Sequence, residues 1–143
     1  MKQELATGNS IIPGIAEGLA VVLQEPFSFT GEFDRTTGTI VNPRSSLFGE
    51  SLKDKVFVYP YGRGSSCTSA VLAEAIRCGN APCAIINVQV EPILVIGALV
   101  AEVLYDSTIP ILGVSQETFQ LLHTGDNLIV DAIAEKLYRK EST

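Results

Sequence analysis

Tyr59-Pro60-Tyr61-Gly62-Arg63-Gly64-Ser65-Ser66-Cys67-Thr68-Ser69 joins an apolar strand, Val56-Phe57-Val58-Tyr59, to a helical segment, Ser69–Arg77. Pro60 marks the end of the strand. In the helix, Val71, Leu72, Ala75 and Ile76 recur at helical spacing, and Arg77 with Gly79 is a stop signal. The same rhythm continues downstream. Ala84–Asn87 is a short apolar strand, Pro92 opens a helix through about Leu104, and Ile109–Val114 is a third apolar strand. Ser115 with Thr118 and Phe119 marks a short helix, and Gly125-Asp126 turns the chain into Leu128-Ile129-Val130. Strands alternating with helices imply parallel pairing through crossovers, and continuously apolar strands imply cover on both faces.

Before about Gly49 the texture differs. Gly18–Gln24 and Thr39–Val41 are β-like, separated by the turn signals Glu25-Pro26, Thr36-Thr37-Gly38 and Asn42-Pro43. The expected fold class is therefore α/β, with an antiparallel N-terminal half and a parallel strand–helix–strand C-terminal half. At 143 residues the chain has the length of one domain, with the tail from about residue 136 expected to be disordered.

Composition narrows the function. Hydrophobic residues at 46%, charged residues at 18% and a mean hydropathy of +0.29 exclude intrinsic disorder. The net charge is −6, and the only cationic cluster is Lys136, Arg139 and Lys140. That leaves no basic surface for nucleic acid or an anionic membrane. The start of the chain does not read as a signal peptide, and the apolar run Ile93–Leu104 falls short of the ~20 residues of a membrane span. Cys67, Cys78 and Cys83, an odd count without metal-ligand spacing, fit a reducing, cytoplasmic setting. The helix Ile93–Leu104 serves either the core or a subunit face. His123, the only histidine, reads as a loop residue rather than a base, and Asp34 as a turn former.

The chemistry points to the loop after Tyr59. It lies at the carboxyl end of a strand, where α/β sheets bind ligands. Gly62 and Gly64 permit close approach of a ligand, the helix start offers free N–H groups, and Arg63 can grip a carboxylate or phosphate in two places. The bare pattern also fits a capped helix start, for which Ser and Thr are preferred. A Walker A loop is excluded because no Lys follows Gly64. The dinucleotide fingerprint fails because residue 67 is Cys.

Gly64-Ser65-Ser66 between strand and helix resembles the Gly-Ser-Ser loop of the aconitase swivelling domain. From about Pro13 to Val130 the chain is similar to the small subunit of the aconitase X family. Matching segments are Pro26-Phe27-Ser28-Phe29-Thr30-Gly31, Asp34 with Thr37-Gly38-Thr39-Ile40, Gly62-Arg63-Gly64-Ser65-Ser66, Ala81-Pro82, Glu91-Pro92-Ile93, Gly97-Ala98 and Gly125-Asp126. The resemblance implies a swivelling β/β/α domain closing over a large partner subunit that carries an iron–sulfur cluster, with no cluster bound by this chain alone. It implies a hydro-lyase acting on a small β-hydroxy carboxylate. Ser65 then takes the part of the base that abstracts the α proton, and Arg63, Gly64, Ser66 and Cys67 contact substrate. A serine alkoxide needs stabilisation, which N–H groups at the helix start and Arg63 can provide. Cys67 stands where aconitase has a carboxylate-binding Arg, which shifts that duty to Arg63 or the partner. Residues 66–77 look more like the branch that dehydrates cis-3-hydroxy-L-proline, the expected substrate. Residues 84–93 look more like the alternative, the mevalonate 5-phosphate branch. A reading of another class is a non-enzymatic anion-binding or interaction module.

Overall fold

The computed structural model describes residues 2–63 and 66–141. The chain opens with strands β1 (Lys2–Thr7), β2 (Asn9–Ile12) and β3 (Ile15–Val22). Helix α1 (Phe29–Glu32) and the hairpin β4 (Phe33–Asp34) and β5 (Thr39–Ile40) follow. The second half contains β6 (Val56–Tyr61), α2 (Thr68–Cys78), β7 (Ala84–Gln89), α3 (Pro92–Tyr105) and β8 (Ile111–Gly113). It ends with α4 (Gln116–Gln120), β9 (Asn127–Asp131) and β10 (Lys136–Lys140).

Among the described residues, eight strands share one sheet in the order β1-β10-β9-β3-β6-β7-β8-β2. The inner neighbours β3, β6, β7 and β8 pair in parallel. The outer pairings are antiparallel. β1 and β2 occupy opposite edges of this order yet are separated in sequence by Gly8 alone. One continuous stretch therefore supplies both edges, and the sheet curls round until they meet.

Alternation along the parallel strands divides the core in two. Val56, Val58, Ala84 and Ile86 point into the curl, where they meet Leu112, Leu128, Val130 and Leu137, with Phe119 and Leu122 packed against them. Phe57, Tyr59 and Ile85 point the other way, onto α2 and α3. Each such side chain fully buried contributes about 1.5–3 kcal/mol. Above them Phe27, Phe29 and Phe57 stack edge to face, with ring centroids 4.9 Å apart for Phe27–Phe57 and 5.0 Å for Phe27–Phe29.

The parallel half follows the sequence pattern closely, and the departures have physical causes. Pro60 does not end β6, which pairs with β7 as far as Tyr61–Gln89. Pro60 ends only the ladder with β3, whose register stops at Val22–Val58, where the next donor on that side would be the N–H that proline lacks. Antiparallel pairing runs through the N-terminal half, within it in the β4–β5 hairpin and otherwise with strands from the C-terminal half. β1, β2 and β3 pair with β10, β8 and β9, so the two ends of the chain build it together. The expected disordered tail is also corrected. Residues 136–140 form β10, with Leu137 buried and held between β1 and β9. The basic cluster in it is taken up by ion pairs, Lys136–Glu4 and Lys140–Glu17 at 3.2 Å and Arg139–Asp126 at 3.1 Å.

α2 and α3 pack side by side over β6 and β7. Their contact depends on Gly97, because a Cβ there would lie 2.9 Å from the carbonyl oxygen and 3.0 Å from the Cα of Ser69. The start of α2 is thereby fixed against α3. The outer face of α3 leaves Ile96, Leu99, Val100, Val103 and Leu104 exposed. Among the described residues no helix is long and apolar enough to cross a membrane. Gly97→Val is expected to push the helices apart and to destabilise the fold by about 1–3 kcal/mol, read from the midpoint of urea unfolding.

Candidate functional site

The end of β6 is held by the peptide of Phe27. Its N–H donates to the carbonyl of Tyr61 at 3.2 Å, and its carbonyl accepts from the N–H of Arg63 at 2.9 Å. Gly62 is thus bridged in parallel to Phe27, and the chain passes Arg63 in a fixed direction. On the other side of Gly62 lies Glu91, the residue preceding α3, whose carboxylate occupies the space a Cβ at position 62 would take. A larger residue here would displace that carboxylate, the free end of a flexible side chain.

Arg63 forms an ion pair with Glu32, the last residue of α1. The arginine side chain is 56% exposed and that of the glutamate only 9%. Glu32 also accepts from the N–H of Ser28 at 2.8 Å and from Nδ2 of Asn42 at 2.7 Å. Burial alone would push its carboxyl up. The hydrogen bonds from Asn42, Ser28 and Arg63 outweigh that and hold it below the ordinary range. Glu32 is therefore a fixed anion that orients the guanidinium while leaving part of it to solvent.

Gly62, Arg63, Thr68, Asn87 and Glu91 border a cavity of about 10 Å³, room for one water. Asn87, 1% exposed, donates from Nδ2 to the carbonyl of Tyr59 at 2.9 Å and ties β7 to β6 beneath it. Tyr59 is also buried there, which pushes its phenol well above the ordinary value. On the other side of Arg63 a cleft of about 170 Å³ opens, bordered by Glu25, Glu32, Asn42, Arg44 and Ser45.

Of the residues the sequence marks for this site, Gly64 and Ser65 lie outside the described residues. Arg63 stands at the carboxyl end of β6. Ser66 and Cys67 are exposed in the turn before α2, with the carbonyl of Cys67 accepting from Val71 N–H to start the helix. Thr68, the first helical residue, is buried. No motif in the sequence marks Glu32, Asn42 or Arg44. The signal that could find Glu32 is its place directly after Pro26–Gly31. Asp34 acts as a turn former, its Oδ1 accepting from the N–H of Thr36 at 2.8 Å. His123 is an exposed loop residue whose backbone N–H donates to Asp126. Cys67 and Cys78 lie at opposite ends of α2, and Cys83 is beyond it, its thiol pushed up to about 11 by burial and by Asp54. Among the described residues no three His, Cys, Asp or Glu side chains converge as a metal would require.

The profile of the family described as "Aconitase X swivel domain" matches residues 5–138. The phosphomevalonate dehydratase small subunit of Methanosarcina mazei is 37% identical over 125 residues, covering 87% of this chain and 83% of that protein. The protein of the same name from Methanocaldococcus jannaschii is 40% identical over 124 residues, covering 87% and 88%. Among solved structures, aconitase X from Thermococcus kodakaraensis in its holo form superposes with a TM-score of 0.85 at 31% identity. The alignment covers 99% of both chains.

Because the Glu32 carboxyl is held below its unfolded value of about 4.3, the network's stabilisation is complete above that pH and is lost as pH falls through the lowered folded value. Glu32→Gln is expected to destabilise the fold at neutral pH by roughly 1–3 kcal/mol. It should also flatten the acid limb of the stability curve, measured by urea unfolding between pH 7 and pH 3.

Proposed function

This chain belongs to the aconitase X swivel domain family, and on that footing we propose that it is the small subunit of a dehydratase acting on mevalonate 5-phosphate. The observation that carries the reading is the oriented Arg63 at the carboxyl end of β6, next to the start of α2. An exposed guanidinium and an adjacent helix N-terminus make an anion cradle suited to a substrate carboxylate.

The reaction removes a proton from the carbon next to the carboxylate and hydroxide from the β carbon, leaving a double bond and water. Ser65 is the proposed base. Negative charge on its oxygen is favoured by the positive end of α2 and by Arg63, and the helix dipole contributes about 0.3–1 kcal/mol in ordinary surroundings. Arg63 holds the carboxylate, which keeps the α proton in reach and stabilises the charge that develops as the proton leaves. Gly64, Ser66 and Cys67 complete the contact from the same loop. The chain supplies the binding and proton-handling half of the site.

In this reading the iron–sulfur cluster is the large subunit's. The cysteines of this chain are spread over both ends of α2 and the start of β7. The exposed apolar face of α3 supports a partner as well, since such a surface is costly to leave in water. Residues 66–77 favour cis-3-hydroxy-L-proline as substrate. The names of the relatives weigh against that and for the phosphorylated compound.

Two measurements on the complex with its large subunit test these assignments. Dehydration of mevalonate 5-phosphate is expected, with cis-3-hydroxy-L-proline inert; the opposite preference overturns the substrate. Ser65→Ala is expected to lower kcat by at least about a hundredfold with assembly intact. Near-normal turnover in that variant removes Ser65 from the base's role.

A further inference from the structure

A mevalonate 5-phosphate molecule has two anionic ends, and the cradle at the start of α2 serves only one. The cleft on the other side of Arg63 has features of a second anion site. Its lining includes Asn42, whose amide joins the Glu32 carboxylate to the backbone of the turn that carries Arg44. Nδ2 donates to Glu32 Oε1 at 2.7 Å, and Glu32 in turn holds Arg63. Oδ1 accepts the backbone N–H of Arg44 at 3.0 Å. Asn42 thus ties the backbone at Arg44 to the carboxylate that pairs with Arg63, and the two arginines, 19 positions apart in the sequence, border the same cleft. The turn is closed by Ser45, whose N–H donates to the Asn42 carbonyl at 3.0 Å.

The two arginines differ in what remains available. The Glu32 carboxylate neutralises part of Arg63. Arg44 is exposed and enters no ion pair among the described residues. Glu25 also borders the cleft, but it is exposed, so water screens its repulsion of an anion. The opening of about 170 Å³ admits a phosphoryl group.

We propose that Arg44, which borders the same cleft as Arg63, binds the phosphoryl group of the substrate, and that this loop makes the enzyme specific for a phosphorylated β-hydroxy acid. The inference rests on the function proposed above and adds the element that selects the substrate. Arg63 lies between the two ends, gripping the carboxylate from the α2 side while Arg44 takes the dianion. The guanidinium fork matches phosphate geometry, which a lysine at this position would match less well.

The test uses the two-subunit complex and Arg44→Ala, a change at an exposed side chain. For mevalonate 5-phosphate, KM is expected to rise about tenfold to a hundredfold, the worth of a charge-assisted hydrogen bond, with kcat changed far less. Inorganic phosphate, as a competitive inhibitor, should weaken about tenfold, whereas unphosphorylated mevalonate should inhibit variant and wild type alike. Arg44→Lys should recover part of the lost affinity. Unchanged KM in Arg44→Ala, or equal weakening of phosphate and mevalonate, overturns the assignment of Arg44. If the wild-type complex does not dehydrate mevalonate 5-phosphate, the proposed function fails instead. Phosphate binding to the complex, followed by phosphorus NMR, then reports on the cleft alone. Its loss in Arg44→Ala sustains a phosphate site, and its persistence ends the proposal.

Discussion

The peptide of Phe27 is the joint on which the site depends. Its N–H and carbonyl clasp the chain on either side of Gly62, while its ring sits in the aromatic cluster over the parallel strands. The backbone that leads into the loop before α2 is therefore anchored to the aromatic part of the core. It also joins two regions far apart in sequence, since the segment carrying Phe27 continues directly into α1 and Glu32. A shift of the ring by packing would move the backbone at Arg63, because interiors transmit strain rather than absorb it.

Glu32 turns that mechanical link into an electrostatic one. A carboxylate at this depth is tolerated only when its lone pairs are filled, and three donors from separate parts of the chain fill them. Ser28 belongs to the start of α1, Asn42 to the loop after β5, and Arg63 to the end of β6. Each is held in place by the need to satisfy the same group. The order of the Arg63 guanidinium is thus set by the burial of its partner, not by the arginine's own packing. Glu32 fixes a direction while leaving donors on the exposed side, a different arrangement from a surface ion pair, whose two members move freely and contribute little.

The sequence makes the parallel half legible because its signals are local. β6, β7, α2 and α3 carry their own apolar pattern within a dozen residues, and Pro92 and Gly79 mark helix ends with known geometry. β1 and β10 offer no such pattern. Lys2-Gln3-Glu4 is exposed along its length, and Lys136–Lys140 reads as a charged tail until Leu137 and the ion pair to Glu4 are seen. Their pairing joins opposite ends of the chain, a contact no window of sequence contains. The site divides the same way. Gly62 and Arg63 stand in a loop of recognisable composition, and the family resemblance marks it. Asn42 looks like turn punctuation before Pro43, which it is, yet its amide also reaches Glu32 across the cleft. Residues that act through a partner leave no local trace.

The chain carries a net charge of −6, yet its distribution leaves room for an anion. At physiological salt, interactions fade over about 8 Å, so the net charge of the domain matters less at a site than the groups beside it. The cations of β10 are paired with Glu4, Glu17 and Asp126 and tie β10 to its neighbours in the sheet. Arg63 and Arg44 are drawn from the loops instead. Their local field is set by one buried carboxylate and one amide. On a surface of net negative charge an anion is favoured only where donors are already in place, so the charge balance favours selectivity rather than opposing it.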